Sequence, residues 1–205
     1  MHLCTLILGI WLLPKVNTLK CYECLPSPSG SCTDTPKECP TDKCSTLKMV
    51  TYAGTSKVMD MTMKTCAVGP ECVDASVNFG ISKTLVANKC CTTALCNDKP
   101  GSDFVKSKPN GKKCFTCDGY SCTSTLSCEG SEDHCVKATT AGGNEKVTLK
   151  GCASKMACSG QIKQQMAQSM GEFTCCQGDF CNSGSSVRAG LLLLVVPLIS
   201  LVLCS

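Results

Sequence analysis

The chain has 205 residues, of which 43% are hydrophobic, only 4% aromatic, and 22 are cysteine. That cysteine content marks a scaffold built on disulfides rather than on a large apolar core. The net charge of +4 argues against a nucleic-acid or polyanion partner, which would need a concentrated basic face.

The chain opens with an apolar run, Leu3–Leu13, followed by Pro14, Lys15 and small polar residues. This predicts a signal peptide over 1–18, cleaved before Leu19 and too short to span a bilayer. The leader directs the chain into an oxidising lumen, where close-set cysteines form disulfides rather than zinc sites. A first cysteine run follows: Cys21-x2-Cys24, Cys32, Cys39, Cys44, Cys66, Cys72, Cys90-Cys91-x4-Cys96-Asn97. Between its members, Lys43–Tyr52, a turn at Gly54 and Ser56–Cys66 read as a long hairpin of alternating residues. If the loop at Gly54 has three or five residues, Leu47, Met49, Met59, Met61 and Met63 gather on one face; an even loop scatters them. Gathered, they form a candidate binding surface or a seam against the second unit.

Residues 99–112, rich in Pro, Gly, Ser and Lys, read as a linker between a first unit at 19–98 and a second at 113–183. The second cysteine run repeats the rhythm of the first: Cys114-x2-Cys117, Cys122, Cys128, Cys135, Cys152, Cys158, Cys175-Cys176-x4-Cys181-Asn182. Two copies of one disulfide-built domain are expected, each all-β and too small to fold securely on its core alone. Cys135–Thr140 and Glu145–Lys150 repeat the hairpin, and Ile162, Met166 and Met170 predict a short helix over Gln161–Met170. The chain ends in an apolar stretch, Ala189–Cys204, preceded by the small residues Asn182–Ser186. Sixteen residues interrupted by Pro197 fall short of a spanning helix, so 184–205 reads as a glycosylphosphatidylinositol (GPI) signal with attachment near Ser183. Removal of Cys4 and Cys204 with the two ends leaves ten cysteines per unit and no free thiol. Ten cysteines allow about 945 pairings, so connectivity stays open at this point.

The CxxC opening, the five intermediate cysteines and the CCxxxxCN ending resemble the Ly-6/urokinase-receptor family of three-finger domains. The resemblance implies an all-β, disulfide-rich fold of two tandem three-finger, snake-toxin-like domains. Carried over by position, it implies Cys21–Cys44, Cys24–Cys32, Cys39–Cys66, Cys72–Cys90 and Cys91–Cys96 in the first unit. In the second it implies Cys114–Cys135, Cys117–Cys122, Cys128–Cys152, Cys158–Cys175 and Cys176–Cys181. It also makes Asn97 and Asn182 structural residues that tie the chain ends together. Two units with an anchor resemble receptor-type members held at the outer leaflet of the plasma membrane, with an extracellular protein ligand and the membrane reached through the GPI lipid. Without the anchor, the frame resembles secreted gamma-type inhibitors of phospholipase A2.

Nothing in the sequence assembles a catalytic site, a cofactor site or a metal site. Only His134 survives processing, and it reads as a solvent-facing strand residue without triad partners. Glu129, Glu132 and Asp133 read as a solvated loop. The expected function is a non-enzymatic, anchored protein-binding module.

Overall fold

The computed structural model of the chain describes residues 18–26, 32–99, 101, 103–105, 107–118, 121–142 and 145–184. The expected leader, apart from Thr18, and the expected anchor signal beyond Gly184 lie outside these residues. The fold is all-β and disulfide-rich. In the first cysteine run the strands are β1 (Leu19–Glu23), β2 (Thr35–Cys39), β3 (Lys43–Ala53), β4 (Ser56–Ala67), β5 (Ala75–Asn78) and β6 (Ser82–Cys91). In the second they are β7 (Pro109–Thr116), β8 (Ser124–Glu129), β9 (His134–Gly142), β10 (Glu145–Ala153) and β11 (Glu172–Cys176), with one helix, α1 (Gly160–Met170). The first run thus makes three successive hairpins. In the second, α1 stands where a strand would open the third, and β11 returns onto β9.

Two compact units result. One holds the described residues up to Tyr52, then Ser56–Asp74 and Leu85–Val105; the other holds Ala53–Thr55, Ala75–Thr84 and the chain from Lys106 on. The short strand β5, from the first cysteine run, therefore belongs with the second unit. β7 starts at Pro109, inside the segment expected as linker, and pairs that residue with Glu129 of β8.

In the first unit, β1 pairs antiparallel with β2 from Leu19↔Cys39 to Glu23↔Thr35, and β3 lies between β6 and β4. The core is small: Cys21, Cys39 and Cys44 form a buried cluster, with Cys24, Val50, Ala67 and Ala87 the other buried apolar side chains among the described residues. Gly54, at φ +58°, makes the β3–β4 turn with Thr55 alone. A left-handed glycine is what such a two-residue turn demands.

In the second unit, β10 pairs with β9 along its whole length and with β5 at Cys152↔Asn78 and Ala153↔Val77. The approach to β5 is close at Gly151: a Cβ there would stand 1.9 Å from the Asn78 carbonyl oxygen. Glycine lets the two backbones meet. Cys114, Cys128, Cys135 and Cys152 form a buried sulfur cluster, and Val77, Phe79, Val136, Ala138 and Phe173 are buried besides. The helix packs its Ile162–Met166–Met170 stripe toward β9 and β11, since those residues are half-buried while Lys163, Gln164 and Gln168 are exposed. It stops at Gly171, whose φ of 84° ends the helical path.

Candidate functional site

The cysteines build one frame twice. The structure bonds Cys21 to Cys44, Cys24 to Cys32, Cys39 to Cys66, Cys72 to Cys90 and Cys91 to Cys96. It bonds Cys114 to Cys135, Cys117 to Cys122, Cys128 to Cys152, Cys158 to Cys175 and Cys176 to Cys181. The sulfurs of Cys114, Cys128 and Cys152 lie within 4.8 Å of one another, as do those of Cys21, Cys39 and Cys66. Each is bonded as a disulfide, so neither cluster offers a thiolate for a metal or for nucleophilic chemistry.

Asn97 and Asn182 perform the same tie in the two frames. Asn97 accepts from the Tyr22 amide at 2.9 Å and donates to the carbonyls of Tyr22 (2.9 Å) and Ser45 (3.0 Å). Asn182 accepts from the Phe115 amide at 3.0 Å and donates to Phe115 (3.0 Å), Val136 (3.0 Å) and Gly151 (3.4 Å). Both side chains are buried, and an amide is suited to the place because it carries an acceptor and two donors on one planar group. Two residues upstream the backbone turns left-handed at bulky residues, Leu95 (φ 57°) and Phe180 (φ 58°). Each donates its amide to the carbonyl before the first cysteine of its frame, Leu95 to Lys20 at 2.7 Å and Phe180 to Lys113 at 2.9 Å. Such backbone strain at a non-glycine persists only where surrounding bonds fix it.

A buried lysine sits two residues before the third bonded pair closes in each frame. In the first unit, the Lys64 ammonium lies 5.8 Å from the Tyr22 ring centre, donates to the Asp98 carbonyl at 2.8 Å and pairs with Asp34 at 2.6 Å. In the second, the Lys150 ammonium lies 5.9 Å from the Phe115 ring centre and donates to the Ser183 carbonyl at 3.1 Å. Burial, with a smaller push from the Lys137 charge, holds Lys150 below the ordinary lysine value.

The acidic loop departs from its sequence reading. Glu132 is 0% exposed, not solvated. Ser76 donates to it at 2.6 Å, the Glu129 amide at 2.9 Å, and the Lys83 ammonium stands 3.3 Å away. Lys83 also meets Glu129 at 2.7 Å, so the buried carboxylate is both bonded and charge-paired, which is what makes its burial tolerable. The partners Ser76 and Lys83 lie more than forty positions upstream in sequence, out of reach of any local pattern. His134 is likewise half-buried rather than solvent-facing, and its Nδ1 meets Asp133 at 2.8 Å. Burial pushes the Asp133 carboxyl up, but the hydrogen bond and charge of His134 outweigh it and leave the group below its usual value. No hydroxyl or thiol nucleophile joins this His–Asp pair among the hydrogen bonds described.

The proposed methionine face is also corrected. The β3–β4 turn has two residues, the even length that divides Leu47 and Met49 from Met59, Met61 and Met63 across the two faces of the hairpin. Four of the seven exposed large apolar side chains among the described residues lie toward hairpin ends. Val58 (62%) and Met59 (45%) lie near the β3–β4 turn, Ile81 (55%) lies in the β5–β6 turn and Val147 (46%) toward the end where Gly142 of β9 pairs with Glu145 of β10, while Leu25, Val68 and Val105 are exposed elsewhere. β4 is the outer strand beside β3, and before its bridge to Cys24 at Lys64 it pairs with no further strand among the described residues. Its edge carries Lys57 and Asp60, bonded at 2.6 Å, charges of the kind that discourage strand-on-strand association.

Residues 17–99 match the u-PAR/Ly-6 domain family, and residues 113–182 match the snake toxin and toxin-like protein family. Over 187 residues the chain is 29% identical to a urokinase plasminogen activator surface receptor of Rattus norvegicus, covering 82% of this chain and 56% of that protein. The corresponding receptor of Mus musculus is 29% identical over 198 residues, covering 86% of this chain and 59% of its own length. The chain thus spans less than two thirds of these relatives.

Proposed function

This chain belongs to the u-PAR/Ly-6 family of three-finger proteins, and from that premise we propose that it is a non-enzymatic protein-binding module of the cell surface. The observation that carries the reading is the pair Val58 and Met59. They are adjacent in sequence and exposed near the β3–β4 turn, beside the Lys57–Asp60 pair. Exposed apolar side chains on a rigid, charge-guarded hairpin suit contact with another protein through side chains. The relatives are surface receptors by name, which supports an extracellular protein ligand.

The same reading places the chain on the outer leaflet through a GPI lipid attached near Ser183, the last residue before Gly184 and the small-residue run that follows. Phosphatidylinositol-specific phospholipase C tests it: the protein should leave intact cells as one species. Retention on the cell, with the residues after Gly184 still detectable by antibody, would mean a spanning tail instead.

A further inference from the structure

The two buried lysines are repeats of one another in all but one respect. Lys64 and Lys150 each precede a frame cysteine by two residues, Cys66 and Cys152. Each lies over the aromatic that follows the first cysteine, Tyr22 or Phe115, and each donates to the carbonyl of the residue after the tying asparagine, Asp98 or Ser183. Lys64 has a carboxylate, Asp34 at 2.6 Å. Lys150 has none within 4.0 Å among the described residues, and the segment matching Asp34, between Cys122 and Cys128, holds no acid. A buried ammonium with a carbonyl and a ring but no counter-charge is an incomplete site. It is incomplete at the one carbonyl that the sequence marks for lipid attachment.

We propose that the missing counter-ion is the ethanolamine phosphodiester of the anchor itself, paired with Lys150 when the lipid is joined to Ser183. The proposal rests on the anchor reading above. Attachment breaks the Ser183–Gly184 peptide bond, forms an amide between the Ser183 carbonyl carbon and the ethanolamine nitrogen, and releases the tail with a free amine at Gly184. The carbonyl oxygen that accepts from Lys150 is retained. Four single bonds separate the new amide nitrogen from phosphorus, a reach of roughly 5 Å by ordinary bond lengths, so the anionic oxygens can meet an ammonium already bonded to that carbonyl. The chain end then leaves the folded unit with its first phosphate fixed rather than free in solvent.

Amine labelling of the whole protein tests this. One form is displayed with its own anchor signal. The other has the residues after Gly184 exchanged for a protein spanning helix, which keeps the Ser183 carbonyl but brings no phosphate. Both are labelled with limiting acetic anhydride, and Lys150 and Lys64 are quantified by mass spectrometry. An opposite charge at this range raises an ammonium pKa by at least one unit, so Lys150 should acetylate about tenfold more slowly in the lipid-anchored form, with Lys64 unchanged. The protection should persist after phospholipase C releases the protein, since the ethanolamine phosphate stays with the chain. Equal Lys150 rates in the two forms overturn the proposal while leaving the anchor intact. Protection lost on release assigns the phosphate to bilayer headgroups and also overturns it. Failure of the lipase to release the protein refutes the anchor reading and the proposal together.

Discussion

Replacing Asn182 by alanine should destabilise the second unit more than any single surface change. The side chain accepts from the Phe115 amide and donates to the Phe115 and Val136 carbonyls, three bonds at 3.0 Å within a buried site. Alanine removes all three and strands the Phe115 N–H without water. At about 0.5–1.5 kcal/mol net for each of the two bonds to carbonyls, and about 1–3 kcal/mol for the orphaned donor, the loss comes to roughly 2–6 kcal/mol. For a unit of this size that corresponds to a fall in Tm of roughly 8–48 °C. Aspartate is the discriminating control: it keeps the acceptor for Phe115 but turns a second oxygen toward carbonyls, so it should be no better than alanine. Calorimetry under non-reducing conditions, with disulfides verified by intact mass, reads the shift. A fall in Tm of less than about 4 °C for Asn182→Ala, or a native-like Asn182→Asp, would refute the reasoning about the tie.

Two further changes test the second unit. Gly151→Ala sets a methyl 1.9 Å from the Asn78 carbonyl oxygen, so β5 must move off β10; a loss of about 1–3 kcal/mol or more is expected, and denaturant midpoints equal to wild type would contradict the close approach. Glu132→Gln keeps the shape but turns an NH2 toward the Glu129 amide and takes one carboxylate from Lys83. It should lose roughly 3 kcal/mol by the same measurement, whereas a solvated Glu132 would lose almost nothing.

Much of this was legible in the sequence, and for identifiable reasons. The hairpin β3–β4 alternates and is punctuated by Gly54, and the helix shows itself through Ile162, Met166 and Met170, because both signals are local. The cysteine rhythm carried the repeat by itself, but the pairing came only with the family resemblance, since spacing does not choose among partners. What local pattern could not supply depended on contacts distant in sequence. Glu132 looks like a solvated loop residue until Ser76 and Lys83 are brought to it. The methionine face turned on the parity of one loop, and Gly54–Thr55 fell on the even side. The lysine pair was hidden because its meaning lies in comparing two sites, the first of which draws its lysine, aromatic, carbonyl and counter-charge from four separate segments.

In the proposed function, the β3–β4 hairpin end is a protein-contact surface. A fluorescent multimer of residues 19–183 should stain cells that carry the ligand, and Val58→Asp with Met59→Asp should reduce that staining at least tenfold. The variant should keep the wild-type melting temperature and all ten disulfides, because neither side chain lies in a core. Unchanged staining by a correctly folded double variant would contradict the account.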